Sequence, residues 1–201
     1  NEEIFIEDAI KSANFADEVL VLDSDSIDKT CEISIKMGAR VEKHKWLGYG
    51  KQKNLAVNLS TNDWVFVLDS DERITIDLQE ELKNILKSPL SNGYLVPRLN
   101  RFFGKNIKSC GLYPDYSLRL FNKTMGRFNE VDVHESVKVE GKVSKLRNHM
   151  VHLAYDNVDE FINKQKYYAD LSNKKRNIFK ALLSPFWTFF KIYILKLGFL
   201  D

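Results

Sequence analysis

The sequence predicts an α/β protein whose first half alternates strands with helices, and three observations carry this prediction. Apolar stretches at residues 18–22 and 65–68 run directly into clusters of acids and serines. Segments whose apolar residues recur at helical spacing follow both of them. After Arg98 this rhythm gives way to short strand-like stretches linked by glycine-bearing loops. Alternating strands and helices build a parallel sheet, to which the second half adds mixed or antiparallel strands.

Local patterns predict the elements of the first half. A helix over residues 1–13 carries its apolar residues on one side, and a strand over 19–22 follows it. The helix over 28–37 ends at Gly38, where a left-handed residue suits a helix C-terminus. The remaining elements are a strand over 39–42, a loop over 46–50, a helix over 51–59, a strand over 63–68, a helix over 77–86 with Asp77 as its N-cap, and a strand over 93–97.

The second half is more irregular. Short strands are predicted over residues 116–121, 135–139 and 150–153. A helix over 156–179 is broken at Ser184 and Pro185, and a second helix covers 186–197. We therefore expect one α/β domain over residues 1–155 and a helical C-terminal segment over residues 156–201.

The acids at the ends of the two apolar strands predict a cation site. Asp69, Asp71 and Glu72 stand too close together to be stable without a cation or hydrogen-bond donors. Hard divalent ions such as Mg²⁺ or Mn²⁺ prefer oxygen ligands of this kind. Asp23 and Asp25 follow the other strand. If the two strands run parallel, one cluster can grip a nucleotide and the other can hold the metal on its phosphates.

Composition limits the class of function. The 201 residues are 44% hydrophobic and 29% charged, as in an ordinary folded domain, and the net charge of +2 favours no nucleic-acid partner. Cys31 and Cys110 lie far apart, so we expect neither a disulfide framework nor a cysteine metal site. A reducing, cytoplasmic setting fits this cysteine usage.

Spaced motifs along nearly the whole chain resemble glycosyltransferase family 2, which has the GT-A fold. The motifs are NEE at residues 1–3, VLDSDSIDKT at 21–30, GKQKN at 50–54, LDSDE with its D-x-D at 68–72, GLYPDYSLRLF at 111–121 and VHE at 133–135. The second half looks like one branch, the lipopolysaccharide inner-core β-1,4-glucosyltransferases. The resemblance implies a GT-A (Rossmann-like) nucleotide-sugar-binding fold with a mixed central sheet plus C-terminal helices. Family members also have a strand before the NEE motif, so we expect the present span to lack the first strand of its sheet.

The resemblance assigns roles to the acids and to one lysine. Asp71 matches the metal-holding position, and Asp69 matches the position that bonds the ribose or supports the metal. Asp23 matches the acid that accepts the uracil N–H. Lys53 matches a basic residue that contacts the nucleotide; the alternative is a solvated lysine on a helix.

Inversion at the anomeric carbon requires a base on the acceptor hydroxyl. We favour Asp115 over Glu135 for this role. Asp115 could instead cap a turn, and Glu135 could instead pair with Arg119 or Arg127. His134 is either a third metal ligand or phosphate donor, or a packed, hydrogen-bonded side chain.

The C-terminal helices combine aromatic residues with lysines. No stretch there approaches the ~20 apolar residues of a membrane span. The pattern favours a helix lying on an anionic membrane surface, and the alternative is packing on the domain core or on a second chain.

Together these observations predict an inverting, metal-dependent transferase that moves a hexose, glucose by the resemblance, from a UDP-sugar to a lipid-linked saccharide at the inner face of the plasma membrane. A sugar nucleotidyltransferase and a non-catalytic nucleotide-sugar-binding fragment are the alternatives.

Overall fold

The computed structural model describes residues 1–129, 135–155, 157–172 and 178–201, which form two compact units. The first unit contains Asn1–Pro97 and Tyr116–Val151, and the second contains Arg98–Asp115 and His152–Asp201. The division of the chain at residue 155 stays a prediction. In the structure, Arg98–Asp115 group with the C-terminal helices.

The first part of the chain alternates strands and helices, as predicted. Its elements are α1 (Ile6–Ala13), β1 (Leu20–Asp23), α2 (Thr30–Lys36), β2 (Arg40–Lys43), α3 (Tyr49–Leu59), β3 (Trp64–Phe66), β4 (Glu72–Ile74) and α4 (Ile76–Leu86). Gly38 follows α2 with a φ of +86°, the left-handed conformation predicted for it. The short strand β4 was not predicted.

The later part of the chain supplies most of the main sheet. Its elements are β5 (Gly93–Phe102), β6 (Lys105–Asn106), β7 (Asp115–Asn122), β8 (Gly126–Phe128), β9 (Val137–Val139), β10 (Val143–Lys145), β11 (Met150–Tyr155), α5 (Val158–Ser172) and α6 (Ile178–Phe189). The strand order of the main sheet is β3-β7-β5-β11-β4, with β10 and β6 pairing with β5. β3 and β7 are antiparallel whereas β10 and β5 are parallel, so the sheet is mixed, as expected.

Two helix starts differ from the predictions. α1 begins at Ile6 rather than Asn1, after a turn over residues 3–5, and the Glu2 backbone N–H donates to Thr30 Oγ1 (2.7 Å) at the start of α2. α4 is capped by Thr75, whose Oγ1 accepts from the Leu78 N–H at 3.3 Å. The prediction of Asp77 as the N-cap is therefore wrong.

The predicted helix break at Pro185 is also wrong. Pro185 lies inside α6, which continues to Phe189 and passes into a π-helical turn over Phe190–Leu195. The φ angle that proline fixes is itself helical, so the ring removes one backbone hydrogen bond without forcing the chain out of the helix. Among the described residues, none of the helices is both long and apolar enough to cross a bilayer.

A large cavity in the first unit separates the two acid-ended strands. β1 pairs with β2 in a two-stranded sheet, whereas β3 forms the end of the main sheet, so the two strands are not hydrogen-bonded to each other. Residues of both strands line one cavity of about 1170 Å³, together with the apolar face of α1. Asp23 and Asp69 both line it. The expectation that a further strand completes this sheet stays a prediction.

Candidate active site

The D-x-D sequence lies in a turn between two strands. β3 ends at Phe66, and the Val67 N–H still donates to the Arg119 carbonyl of β7 at 2.9 Å. The Glu72 N–H then donates to the Asp69 carbonyl at 3.0 Å, which closes a turn directly before β4. These backbone bonds explain why the acids project from the end of a strand rather than from a free loop.

Asp69 is held by two cations, one on each carboxylate oxygen. Lys53 Nζ lies 3.0 Å from Oδ1, and Arg119 Nη2 lies 2.9 Å from Oδ2. Burial opposes ionisation of this carboxyl, but the positive charges of Arg119 and Lys53 outweigh burial and lower the pKa of Asp69 to about 2. Asp69 is therefore an anion throughout the physiological pH range.

Lys53 also binds Glu135, which brings a second predicted site residue to the same place. Lys53 Nζ lies 2.9 Å from Glu135 Oε1, and the two side chains are only 21% and 18% exposed. Lys53 is thus a bridge between two acids rather than a solvated helix lysine. Among the described residues Glu135 has Lys53 as an ion partner, whereas Arg119 pairs with Asp69 and Glu72.

The GKQKN motif is explained by three consecutive residues of α3. Gln52 Nε2 donates to Ser24 Oγ at 2.8 Å, which ties the helix to the loop after β1. Asn54 exchanges two hydrogen bonds with the backbone of Phe128 in β8, at 3.0 and 2.9 Å. Lys53, between these two anchors, is therefore directed to the acids by the helix position.

Asp23 ends β1 and is almost fully buried, with 4% exposure. Its Oδ2 accepts the Ser26 N–H at 3.0 Å. Burial raises the pKa of Asp23. Hydrogen bonds from the side chain and backbone of Ser26 and from the Cys31 thiol outweigh burial, so the pKa of Asp23 lies below its ordinary value. An ionised acceptor at this point suits an N–H donor of a bound base.

Asp115 lies in the second unit, where it begins β7. Arg98 Nε and Nη2 both donate to Asp115 Oδ2, at 2.9 and 2.5 Å. The carboxylate is thus an ion-pair partner of Arg98, and both the catalytic role and the turn-cap alternative stay predictions. His134, the proposed third metal ligand, lies outside the described residues.

The donor set fits a hard divalent cation that shares its coordination with a ligand. Asp69 and Asp71 offer carboxylate oxygens at one turn. Within the described ranges, no group of three or more His, Cys, Asp or Glu residues is arranged to hold a metal ion. Mg²⁺ and related ions are commonly bound by one or two carboxylates, with substrate phosphates and water supplying the other positions.

Two residues of the site, Glu72 and Arg119, were not predicted to pair with each other and with Asp69. Glu72 is fully buried and accepts from Arg119 Nη2 at 2.5 Å. Arg119 is flanked by Leu118 and Leu120 in β7, and such alternation of polar and apolar residues ordinarily indicates a solvent-facing side chain. No local pattern reveals that this arginine pairs with Asp69 and Glu72, which follow the end of the neighbouring strand β3.

An alternating β–α half with a D-x-D turn at a strand end, joined to a mixed sheet, defines the GT-A class of transferase. The model of the glycosyl transferase family 2 matches residues 1–129 of the chain. This protein belongs to that family and is a glycosyltransferase.

Curated relatives agree with this assignment over most of the chain. An uncharacterized glycosyltransferase of Rickettsia conorii is 30% identical over 98% of this chain and 77% of its own length. A second, from Rickettsia typhi, is 32% identical over 98% of this chain and 74% of its own length. The lipopolysaccharide core biosynthesis glycosyltransferase LpsC of Rhizobium meliloti is 28% identical over 96% of this chain and 77% of its own length.

Solved structures show the fold. The S. aureus protein TarS, residues 1–349, superposes with a TM-score of 0.55 at 17% identity and covers 76% of this chain. The present chain spans 57% of that TarS chain. The same protein in complex with UDP-GlcNAc superposes with a TM-score of 0.55 at 16% identity, covering 78% of this chain and 56% of that one.

Proposed function

We propose that this glycosyltransferase moves a hexose from a UDP-sugar to a saccharide acceptor with the help of Mg²⁺ or Mn²⁺. The observation that carries the proposal is the charge of the Asp69 cluster. Among the described residues, the carboxylates of Asp69, Glu72 and Glu135 pair with Lys53 and Arg119. Asp71, in the same turn as Asp69, interacts with Arg73, so four acids stand against three cations. A diphosphate alone is repelled by this excess of negative charge, whereas a diphosphate with a divalent cation is attracted.

The proposal gives a role to four residues, namely Asp23, Lys53, Asp69 and Asp71. Asp71 and Asp69 hold the cation, which when bound neutralises charge on the departing diphosphate. Asp23 accepts the N–H of the uracil. Lys53 leaves one of its two acid partners to contact the diphosphate. Asp69 and Asp23 line a single cavity, which supports their binding one ligand between them.

The donor and the acceptor are proposed from the relatives. TarS was crystallised with UDP-GlcNAc, which supports a UDP-sugar as the donor. LpsC is named for lipopolysaccharide core biosynthesis, which supports a lipid-linked core saccharide as the acceptor. Glucose is the hexose we propose for transfer, on the basis of the motifs in the second half of the chain.

We propose Asp115 or Glu135 as the base that deprotonates the acceptor hydroxyl. Asp115 binds Arg98 through one oxygen, Oδ2. Glu135 shares Lys53 with Asp69 and so lies beside the proposed donor site. Movement of Lys53 to the diphosphate would release Glu135 as an acceptor of protons. The two candidates differ in their expected coupling to donor binding, and this difference separates them experimentally.

A heat-shift screen tests the donor proposal. The purified protein is heated with UDP-glucose, UDP-galactose, UDP-GlcNAc or GDP-mannose, each with Mn²⁺, with Mg²⁺ or with a chelator. We expect a UDP-sugar with a divalent cation to raise the melting temperature, because a ligand that binds only the native state stabilises it. Equal melting temperatures in all mixtures would contradict the proposal.

We also propose that the C-terminal helices lie on the cytoplasmic surface of an anionic membrane. The end of α6 and the π-helical turn expose a dense group of apolar side chains, namely Leu183, Phe186, Trp187, Phe189, Phe190, Ile192, Tyr193, Ile194 and Leu195. Lys191 and Lys196 lie among them and are exposed as well. Aromatic side chains that enter the lipid, with lysines that reach its anionic head groups, favour binding in the plane of the surface.

The double substitution Phe186→Ser with Trp187→Ser should release the protein from vesicles that contain anionic lipid. These side chains are 76% and 60% exposed, so their loss removes lipid contacts without opening a core. Raised salt should weaken binding of the parent because it screens the lysines. Co-sedimentation with vesicles measures both effects. Ile76→Ser serves as the control, since Ile76 is 76% exposed but lies on α4. Unchanged sedimentation of the double variant would refute the membrane proposal.

A further inference from the structure

A buried ion pair supports the proposed donor site from behind. Glu72 is completely buried and the side chain of Arg119 is only 7% exposed, yet the two form an ion pair with each other. Arg119 Nε is also buried and has no hydrogen-bond partner in the described part of the chain. Burying two charges and an unsatisfied N–H opposes folding, and apolar residues of similar size often serve stability equally well. Stability alone therefore gives no reason for these residues.

The pair is closed into a ring through Asp69. Arg119 Nη2 donates to Glu72 Oε1 at 2.5 Å and to Asp69 Oδ2 at 2.9 Å. Glu72 Oε2 accepts the backbone N–H of Asp69 at 3.1 Å. Glu72 thus holds both the guanidinium and the backbone of the residue that the guanidinium binds. The Asp69 carboxylate is fixed relative to its own main chain.

The ring leaves the opposite side of Asp69 for other partners. Oδ2 is occupied by Arg119, whereas Oδ1 is the oxygen that Lys53 contacts. The Asp69 side chain is 38% exposed, in contrast to Glu72 and Arg119 behind it. The ring thus leaves Oδ1, which Lys53 contacts, as the oxygen for a ligand in the cavity that Asp69 lines.

We infer that Glu72 and Arg119 are positioning residues that hold the Asp69 carboxylate in a single orientation, with Oδ1 presented to the ribose or cation of a bound UDP-sugar. The inference rests on the proposed function, because it assumes that Asp69 contacts the donor. Neither residue needs to touch the donor. A preorganised carboxylate binds more tightly than a free one, since its rotamer freedom is not lost at the moment of binding.

The test replaces the ion pair by uncharged residues of similar size. Glu72→Leu with Arg119→Met removes one charge of each sign, and the half-exposed Asp69 keeps Lys53 as its cation, so we expect a cooperatively folded protein. Its dissociation constant for UDP-glucose in Mn²⁺ should rise at least tenfold, whereas its weak affinity for uridine, which engages the Asp23 side, should stay at the parent value. The control is Glu7→Leu with Lys11→Met, which removes a 2.6 Å ion pair from the surface of α1, away from the cavity lining, and should change neither affinity.

A second variant provides the same test if the double variant does not fold. Glu72→Gln keeps the shape and an acceptor for Arg119 but weakens the ring at the Asp69 N–H. We expect it to fold and to bind UDP-glucose several-fold more weakly than the parent. Parent affinity for UDP-glucose in either folded variant would overturn the inference and leave the pair with a purely structural role.

A measurement without the donor separates this inference from the proposed function. Three-bond couplings about χ1 of Asp69 should report one rotamer in the parent and an average over rotamers in the double variant. If the parent binds no UDP-sugar but the couplings change as described, the proposed function fails while the positioning of Asp69 stands. If the couplings are the same in the two folded proteins, the positioning role is wrong whatever the donor binding shows.

Discussion

The substitution Asp71→Asn is expected to abolish metal-dependent binding of UDP while leaving the fold intact. Asp71 occupies the turn that also holds Asp69, and it interacts with the positive charge of Arg73. Loss of one charge relieves repulsion in the metal-free protein but removes a ligand from the cation. Calorimetric titration should show affinity for UDP in Mn²⁺ falling about a hundredfold, to the value measured with a chelator.

Asp23→Ala provides the matched control for this prediction. Asp23 ends β1 on the other side of the cavity, and its proposed partner is the uracil rather than the phosphates. Its loss should weaken UDP binding equally with and without Mn²⁺. If Asp71→Asn binds UDP in Mn²⁺ within twofold of the parent, Asp71 does not hold the metal.

The second large effect concerns the base. If Asp115 deprotonates the acceptor, Asp115→Asn should lower turnover about 10²-fold or more, in line with typical general-base contributions. UDP-sugar affinity should stay near that of the parent, since the described ion partner of Asp115 is Arg98 in the second unit. Steady-state kinetics, with a separate titration of the donor, measure both quantities.

Glu135→Gln decides between the two acids because Glu135 is coupled to the donor site. Its removal takes a partner from Lys53, so donor affinity should change together with turnover. A variant at residue 115 that turns over normally, beside an inactive variant at residue 135, would assign the base to Glu135. Asp115 would then have a structural role as the ion-pair partner of Arg98.

Much of the fold follows from the sequence because the relevant signals are local. Apolar strands that run into acids, and Gly38 after α2, each fix an element through neighbouring residues. The helix starts were less accurate. Thr75 rather than Asp77 caps α4, and several nearby polar residues compete for such a role.

The residues of the site were predicted only where they lie in a motif that resembles the family and that has an assigned role. Lys53 lies in such a motif, and the structure brings it to Asp69 and Glu135. Arg119 and Glu72 do not stand out, because their contact joins residues 47 positions apart on different strands. A contact of this kind depends on strand order, which a single sequence does not determine.

One measurement tests the central claim most directly. The protein is incubated with UDP-glucose, Mn²⁺ and a purified lipopolysaccharide core saccharide, and both UDP release and glucose incorporation are followed. We predict UDP release that requires the divalent cation, rises with acceptor concentration and is matched by incorporated glucose. Donor binding without UDP release would contradict catalysis and favour a nucleotide-sugar-binding fragment. In a separate incubation with UTP and glucose 1-phosphate, formation of UDP-glucose would identify a nucleotidyltransferase instead.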